Sequence, residues 1–141
     1  MEARHRIIKR PRLTRLLDES AARVIMLVAP AGYGKTILAR EWLDGKRHAW
    51  YEASPPASDV AALAFGLAAA CARIEPRVGK RMRVRLRALS YPERDVQRLA
   101  EFLAEDLSAW KNDTWLAIDD YHFACESKAN YATSVGSAVE T

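Results

Sequence analysis

The sequence predicts an α/β domain with a mainly parallel sheet. Apolar, β-rich runs at 24–28, 48–52 and 114–118 alternate with stretches of helical periodicity. A glycine-rich loop, Ala29-Pro-Ala-Gly-Tyr-Gly-Lys35-Thr36, separates the first run from a helix. The last run ends on a pair of aspartates, Asp119-Asp120.

The elements follow in order. Leu13, Leu16, Leu17 and Ala21 recur at helical spacing behind Pro11, which predicts a short helix over 12–22. Val24-Ile-Met-Leu-Val28 is continuously apolar and short, as a strand buried on both faces would be. A second helix starts at Lys35 with Leu38, Ala39, Trp42 and Leu43 on one side, and Gly45 is placed to close it. His48-Ala-Trp-Tyr-Glu52 predicts another strand. Ser58 or Asp59 can cap a helix that buries Val60, Leu63, Leu67 and Cys71. The arginine-rich 77–87 fits helix and strand alike. Val96, Leu99, Leu103, Leu107 and Trp110 mark an amphipathic helix, and 114–118 is the last strand. From Ala124 the chain is small and polar, which predicts a poorly ordered tail.

Composition narrows the class. Of 141 residues, 50% are hydrophobic and 28% charged, a balance that fits a globular chain rather than a disordered one. The net charge of +4 is concentrated in 1–23 and 73–94 and does not by itself imply nucleic acid. Cys71 and Cys125 have no metal-ligand or redox spacing, so Cys71 reads as a small core residue in a reducing compartment. Neither a signal peptide nor an apolar run long enough to span a bilayer is visible, and a cytoplasmic location with no membrane contact is expected.

Each part of the glycine loop has a physical task. Gly32 and Gly34 let the backbone turn and approach an anion with no Cβ in the way. The N–H groups of Ala31, Gly32, Tyr33, Gly34, Lys35, Thr36 and Ile37 then form an anion nest at a helix N-terminus. Lys35 adds charge for the β- and γ-phosphates of ATP, and Thr36 offers a hydroxyl to Mg²⁺. This is a P-loop with one departure: Ala29 stands where glycine is usual. Pro30 biases Ala29 towards an extended conformation, which alanine tolerates.

Leu116-Ala-Ile-Asp119-Asp120 has the form of a Walker B strand, with carboxylates delivered to the C-terminal edge of the sheet, where ligands bind in open α/β folds. Asp119 is the expected Mg²⁺ ligand. Asp120 is the expected catalytic residue, orienting or deprotonating an attacking water.

These motifs, together with Arg10-Pro-Arg-Leu, Leu16-Leu17, Glu41-Trp42-Leu43, Ala49-Trp50 and Asp119-Asp-Tyr-His122, resemble the N-terminal ATPase region of large ATP-binding LuxR-type transcriptional regulators. That group belongs to the signal-transduction ATPases with numerous domains, relatives of AAA ATPases. The resemblance covers about 9–123, and alanine at position 29 is usual in it. It implies an AAA-like P-loop NTPase sheet, incomplete here because the chain stops soon after the Walker B strand. It also implies an ATP switch, self-association of the full-length protein, and DNA contact only through a C-terminal domain. The expected division is a basic arm over 1–11, a partial NTPase domain over 12–123 and the tail over 124–141. Because the segment before the first helix lies near adenine in this group, Arg10 to Leu13 are candidate base contacts. A truncated regulator fragment, marginally folded and with negligible ATP turnover, is expected.

Two other readings stay open. A compact P-loop kinase or ATPase would need a lid, for which 77–87 could serve by gripping a phosphorylated acceptor. A nucleic-acid binder could use Lys80-Arg-Met-Arg-Val-Arg-Leu-Arg87 as a strand with arginines on one face.

Overall fold

The computed structural model describes residues 8–55 and 59–125. Ser58 as a cap and the tail beyond Cys125 lie outside them. The chain divides into two compact units, 1–48 and 49–141. Six α-helices and a two-stranded parallel sheet are described, an α/β arrangement.

In the first unit, α1 spans Pro11–Glu19 and α2 spans Lys35–Leu43. The first helix ends earlier than the apolar spacing predicts. Ser20 leaves it with ψ 124°, and its hydroxyl accepts the N–H of Ala22 at 3.2 Å. A serine that bonds its own downstream backbone competes with another helical turn. In α2, Leu38 and Leu43 are buried on the predicted side. Gly45 takes φ +76°, just after Asp44 has left the helix. Asp18 joins the helices by accepting from both Trp42 Nε1 and Lys46 Nζ at 2.8 Å. Those bonds, the lysine's first, hold its carboxyl below the usual carboxylate range.

The predicted strand at 24–28 does not form. Val24, Met26 and Val28 are 82%, 70% and 84% exposed, and among the described residues no strand pairs with them. A strand is made by its ladder of neighbours, and β propensity without a partner leaves only an unpaired segment.

β1 (Arg47–Glu52), which lies in the second unit from Ala49 on, pairs with β2 (Thr114–Asp119), and Ala53 N–H donates to Asp119 O at 3.0 Å past the strand end. Next come α3 (Val60–Ala72), α4 (Pro76–Ala88), a short 3₁₀ turn at Pro92–Arg94, α5 (Val96–Leu107) and, after β2, α6 (His122–Cys125). Asp59 caps α3 as predicted, its carboxylate accepting from Ala62 N–H at 2.8 Å.

The buried stripe of α3 keeps only Cys71 of the four predicted residues. Ala68, Ala70 and Cys71 are buried, while Val60, Leu63 and Leu67 are only half-buried. Small residues form this stripe because α4 comes very close. A Cβ on Gly79 would lie 2.6 Å from Ala72 Cβ and 3.0 Å from the Ala68 carbonyl oxygen. The core around the contact is Ala68, Met82, Leu86 and Leu99, with Ala64, Phe102 and Leu103 packed against it.

Winding 77–87 as a helix resolves the ambiguity of that segment. Glu75 accepts from Arg77 N–H at 3.4 Å as the cap, Pro76 starts the first turn, and Val78, Met82 and Leu86 fall on one buried stripe. The strand reading of 80–87 is therefore corrected, and so is the lid, since this helix is part of the core. Winding also divides its cations. Arg81 and Arg85 turn towards the fully buried Asp106 of α5, at 3.1 and 3.8 Å, in ion pairs not aligned as hydrogen bonds. Arg85 also reaches Glu105 at 3.2 Å and lies 4.2 Å over the Phe102 ring. The remaining cations of the helix, Arg77, Lys80, Arg83 and Arg87, are exposed.

Cys71 is completely buried, as the sequence suggests. Burial, with Asp106 adding to it, pushes its thiol from 9.0 to about 11. The unfolded thiol ionises first as pH rises, so the native state loses stability from about pH 9 until the buried thiol itself ionises. Below about pH 9 both states hold the proton and this contribution is whole. Cys71→Ala is expected to flatten the decline of the melting temperature between about pH 8.5 and 10.5. An alkaline decline identical in parent and variant would show that the thiol has no part in it.

Candidate functional site

The local sequence dictates the loop. Pro30 and the paired glycines prevent the helix from starting early, and Gly34 is the residue from which α2 starts. Gly32 and Gly34 have φ +83° and +76°, the left-handed region that side chains with a Cβ avoid. Among the described residues, their N–H groups are engaged by no acceptor. The Gly34 carbonyl already accepts from Leu38 N–H at 2.9 Å, so the loop runs into the helix without a break. Tyr33 is 63% exposed and Ile37 48%, which leaves this end of α2 open to solvent.

Lys35, the first residue of α2, does not point away from the loop. Its Nζ donates to Ala29 O at 2.6 Å and to Pro30 O at 3.0 Å. The loop is thus wrapped around a single ammonium, with carbonyls on the lysine and the glycine N–H groups left over. Ala31 to Ile37 form one continuous turn into the helix. Thr36 lies one residue into α2 and is hydrogen-bonded.

Asp119 and Asp120 belong to the second unit, at the C-terminal end of β2. Asp119 Oδ1 accepts the N–H of Asp120 at 3.0 Å. Asp120 has φ +51°, a conformation that aspartate tolerates better than most residues. The chain turns there into α6, with Phe123 N–H returning to Asp120 O at 3.0 Å. Among the described residues, no group of three or more histidine, cysteine or acidic side chains could hold a metal ion alone.

Arg10, one of the candidate base contacts, reaches the loop itself. Its Nη1 donates to Tyr33 O at 3.0 Å, and its guanidinium lies over Gly34, where a Cβ would come 3.4 Å from Nη2. Its own backbone N–H straddles the Glu41 carboxylate at 3.3 and 3.4 Å. The sequence singles out Glu41 only within Glu41-Trp42-Leu43 and assigns it no task, since a carboxylate on a helix looks like any solvated charge.

Comparison with known proteins follows the same lines as the motifs. Over most of its length the chain is similar to MalT. The HTH-type transcriptional regulator MalT of Cronobacter sakazakii is 32% identical over 84% of this chain. MalT of two strains of Klebsiella pneumoniae is 30% identical over the same share. The chain spans 13% of the length of these MalT relatives. The likeness to MalT supports the regulator family. No protein-family model and no solved structure matches the chain. Among the described residues no helix is long and apolar enough to cross a membrane.

Proposed function

We propose that the chain is the ATP-binding, nucleotide-switch region of a LuxR-type transcriptional regulator. The observation that carries this reading is the loop: two left-handed glycines with unengaged N–H groups at the N-terminus of α2, closed around Lys35. A polyphosphate fits that arrangement. It would accept from the N–H groups of Ala31 to Ile37 and draw Lys35 from the carbonyls of Ala29 and Pro30 to its own charge. Bound ATP supplies a γ-phosphate whose presence or loss sets the state of a switch. Thr36 and Asp119 are the proposed protein ligands of Mg²⁺, an ion that keeps several waters and phosphate oxygens and needs few side chains. Asp120 is the proposed residue that orients or deprotonates water. Self-association, and DNA binding by a separate helix-turn-helix part, are proposed for the whole regulator from the likeness to MalT.

Titration of the chain with ATP, with and without Mg²⁺, tests the reading. Saturable binding that tightens with Mg²⁺ is expected, and absence of binding in both conditions would sink it. Asp119→Asn is expected to bring the affinity in Mg²⁺ down to the Mg²⁺-free value. The exchange deletes the charge but keeps an oxygen for the Asp120 N–H, so the local turn survives. Unchanged Mg²⁺ dependence would reduce Asp119 to a turn residue.

A further inference from the structure

We propose that Arg10 is a positioning residue of the phosphate loop, which aims the Gly34 N–H into the anion nest by gripping the carbonyl on the other side of the same peptide. This rests on the phosphate-binding reading of the loop and names a part of it that lies outside the motif.

The argument begins with the peptide plane. The bond between Tyr33 and Gly34 is trans, and in a trans peptide the C=O and N–H point in opposite directions within one rigid plane. Whatever fixes the Tyr33 oxygen therefore also fixes the direction of the Gly34 N–H. The Arg10 guanidinium fixes that oxygen with a 3.0 Å hydrogen bond. Gly34 is the residue most in need of such a hold. It is glycine, it is left-handed at φ +76°, and it has no side chain to restrict the flip of the peptide before it.

The grip itself is anchored. The Arg10 backbone N–H lies between the two Glu41 carboxylate oxygens, and Glu41 projects from α2, the helix that the loop starts. Tyr33, Arg10 and Glu41 thus close a ring that runs from the loop to the arm and back to α2. On the other side of the loop Lys35 holds Ala29 O and Pro30 O. The two cations share the outward carbonyls between them, but they differ in what a polyphosphate does to them. Lys35 is drawn to the anion, whereas Arg10 keeps its carbonyl.

The test is a series of variants titrated with ATP, GTP and inorganic pyrophosphate, each first shown to melt as the parent does. Arg10→Ala is expected to weaken ATP and pyrophosphate alike, by roughly tenfold, with the preference between ATP and GTP unmoved. Arg10→Lys should recover part of the loss, because one donor can still reach the carbonyl. Glu41→Ala should also weaken both ligands, by about threefold. The sign is informative, since removing an acid near a phosphate site would otherwise strengthen binding. The double variant should bind no worse than Arg10→Ala, because Glu41 acts only through Arg10. Pyrophosphate binding unaffected by Arg10→Ala, with a changed ATP to GTP preference, would make Arg10 a base contact and overturn the proposal. Tighter binding in Glu41→Ala would overturn it too. A parent chain that binds none of the three ligands would overturn the P-loop reading and this inference together, whereas a binding parent with indifferent Arg10 variants would remove the inference alone.

Discussion

Lys35→Ala is expected to remove most of the affinity for ATP. The ammonium meets the largest share of phosphate charge, and charge-assisted hydrogen bonds contribute about 1.5–3 kcal/mol each, or roughly a 10- to 150-fold change in dissociation constant. The fold around it should tolerate the change. Among the described residues the Lys35 ammonium bonds only to the carbonyls of Ala29 and Pro30, which lie at a loop that water can reach. The melting temperature of Lys35→Ala should therefore stay near that of the parent while the ATP isotherm shifts. Lys35→Arg is a useful companion, since it keeps the charge but is too broad for the space between those carbonyls. Should Lys35→Ala bind ATP as tightly as the parent, the phosphate-loop assignment is wrong.

The largest loss of stability is expected from Gly79→Val. Helix propensity favours the change, because glycine inside a helix costs about 1 kcal/mol relative to alanine and somewhat less relative to valine. Packing opposes it. The new Cβ would come 2.6 Å from Ala72 Cβ and 3.0 Å from the Ala68 carbonyl oxygen, and the latter is backbone that cannot rotate aside. The helices must separate, which opens the core at Ala68 and Met82, both essentially inaccessible to solvent. Overpacking of this kind costs about 1–3 kcal/mol or more, a large share of the roughly 5–15 kcal/mol that stabilises a domain. Urea denaturation should show a lower midpoint with the slope unchanged. Val84→Ala on the exposed side of the same helix should stay within about 0.5 kcal/mol of the parent. A Gly79→Val chain as stable as the parent would mean that α3 and α4 are not packed this closely.

Much of this was legible in the residues. The glycine loop stands where its motif placed it, and α2 starts at Lys35 because Gly34 supplies the one conformation that joins loop and helix. Asp59 caps α3 by short-range chemistry that needs no partner at a distance, and β2, once paired with β1, carries Asp119 at the end where its apolar run stops. Helix α4 could also have been found. Glu75-Pro76 is a start signal, and Val78, Met82 and Leu86 keep a helical period. The alternation of Arg81, Arg83, Arg85 and Arg87 concealed it, since a row of charges at every second position imitates a strand.

Which residues turn, cap and start helices is written in the local residues, and the candidate phosphate loop and acidic pair sit on such features. These depend on φ, on a carboxylate within reach of an N–H, and on a few residues either side. The packing of the folded chain settled what depends on a distant neighbour. It left 24–28 unpaired, because a β-rich run becomes a strand only when another strand accepts its hydrogen bonds. It buried Ala68 and Ala70 beside Cys71 and left Leu63 and Leu67 half-buried, because Gly79 lets α4 approach and small side chains fit best where helices lie closest. It brought Arg10 to the carbonyl of Tyr33, a meeting between residues twenty-three positions apart that no local pattern encodes.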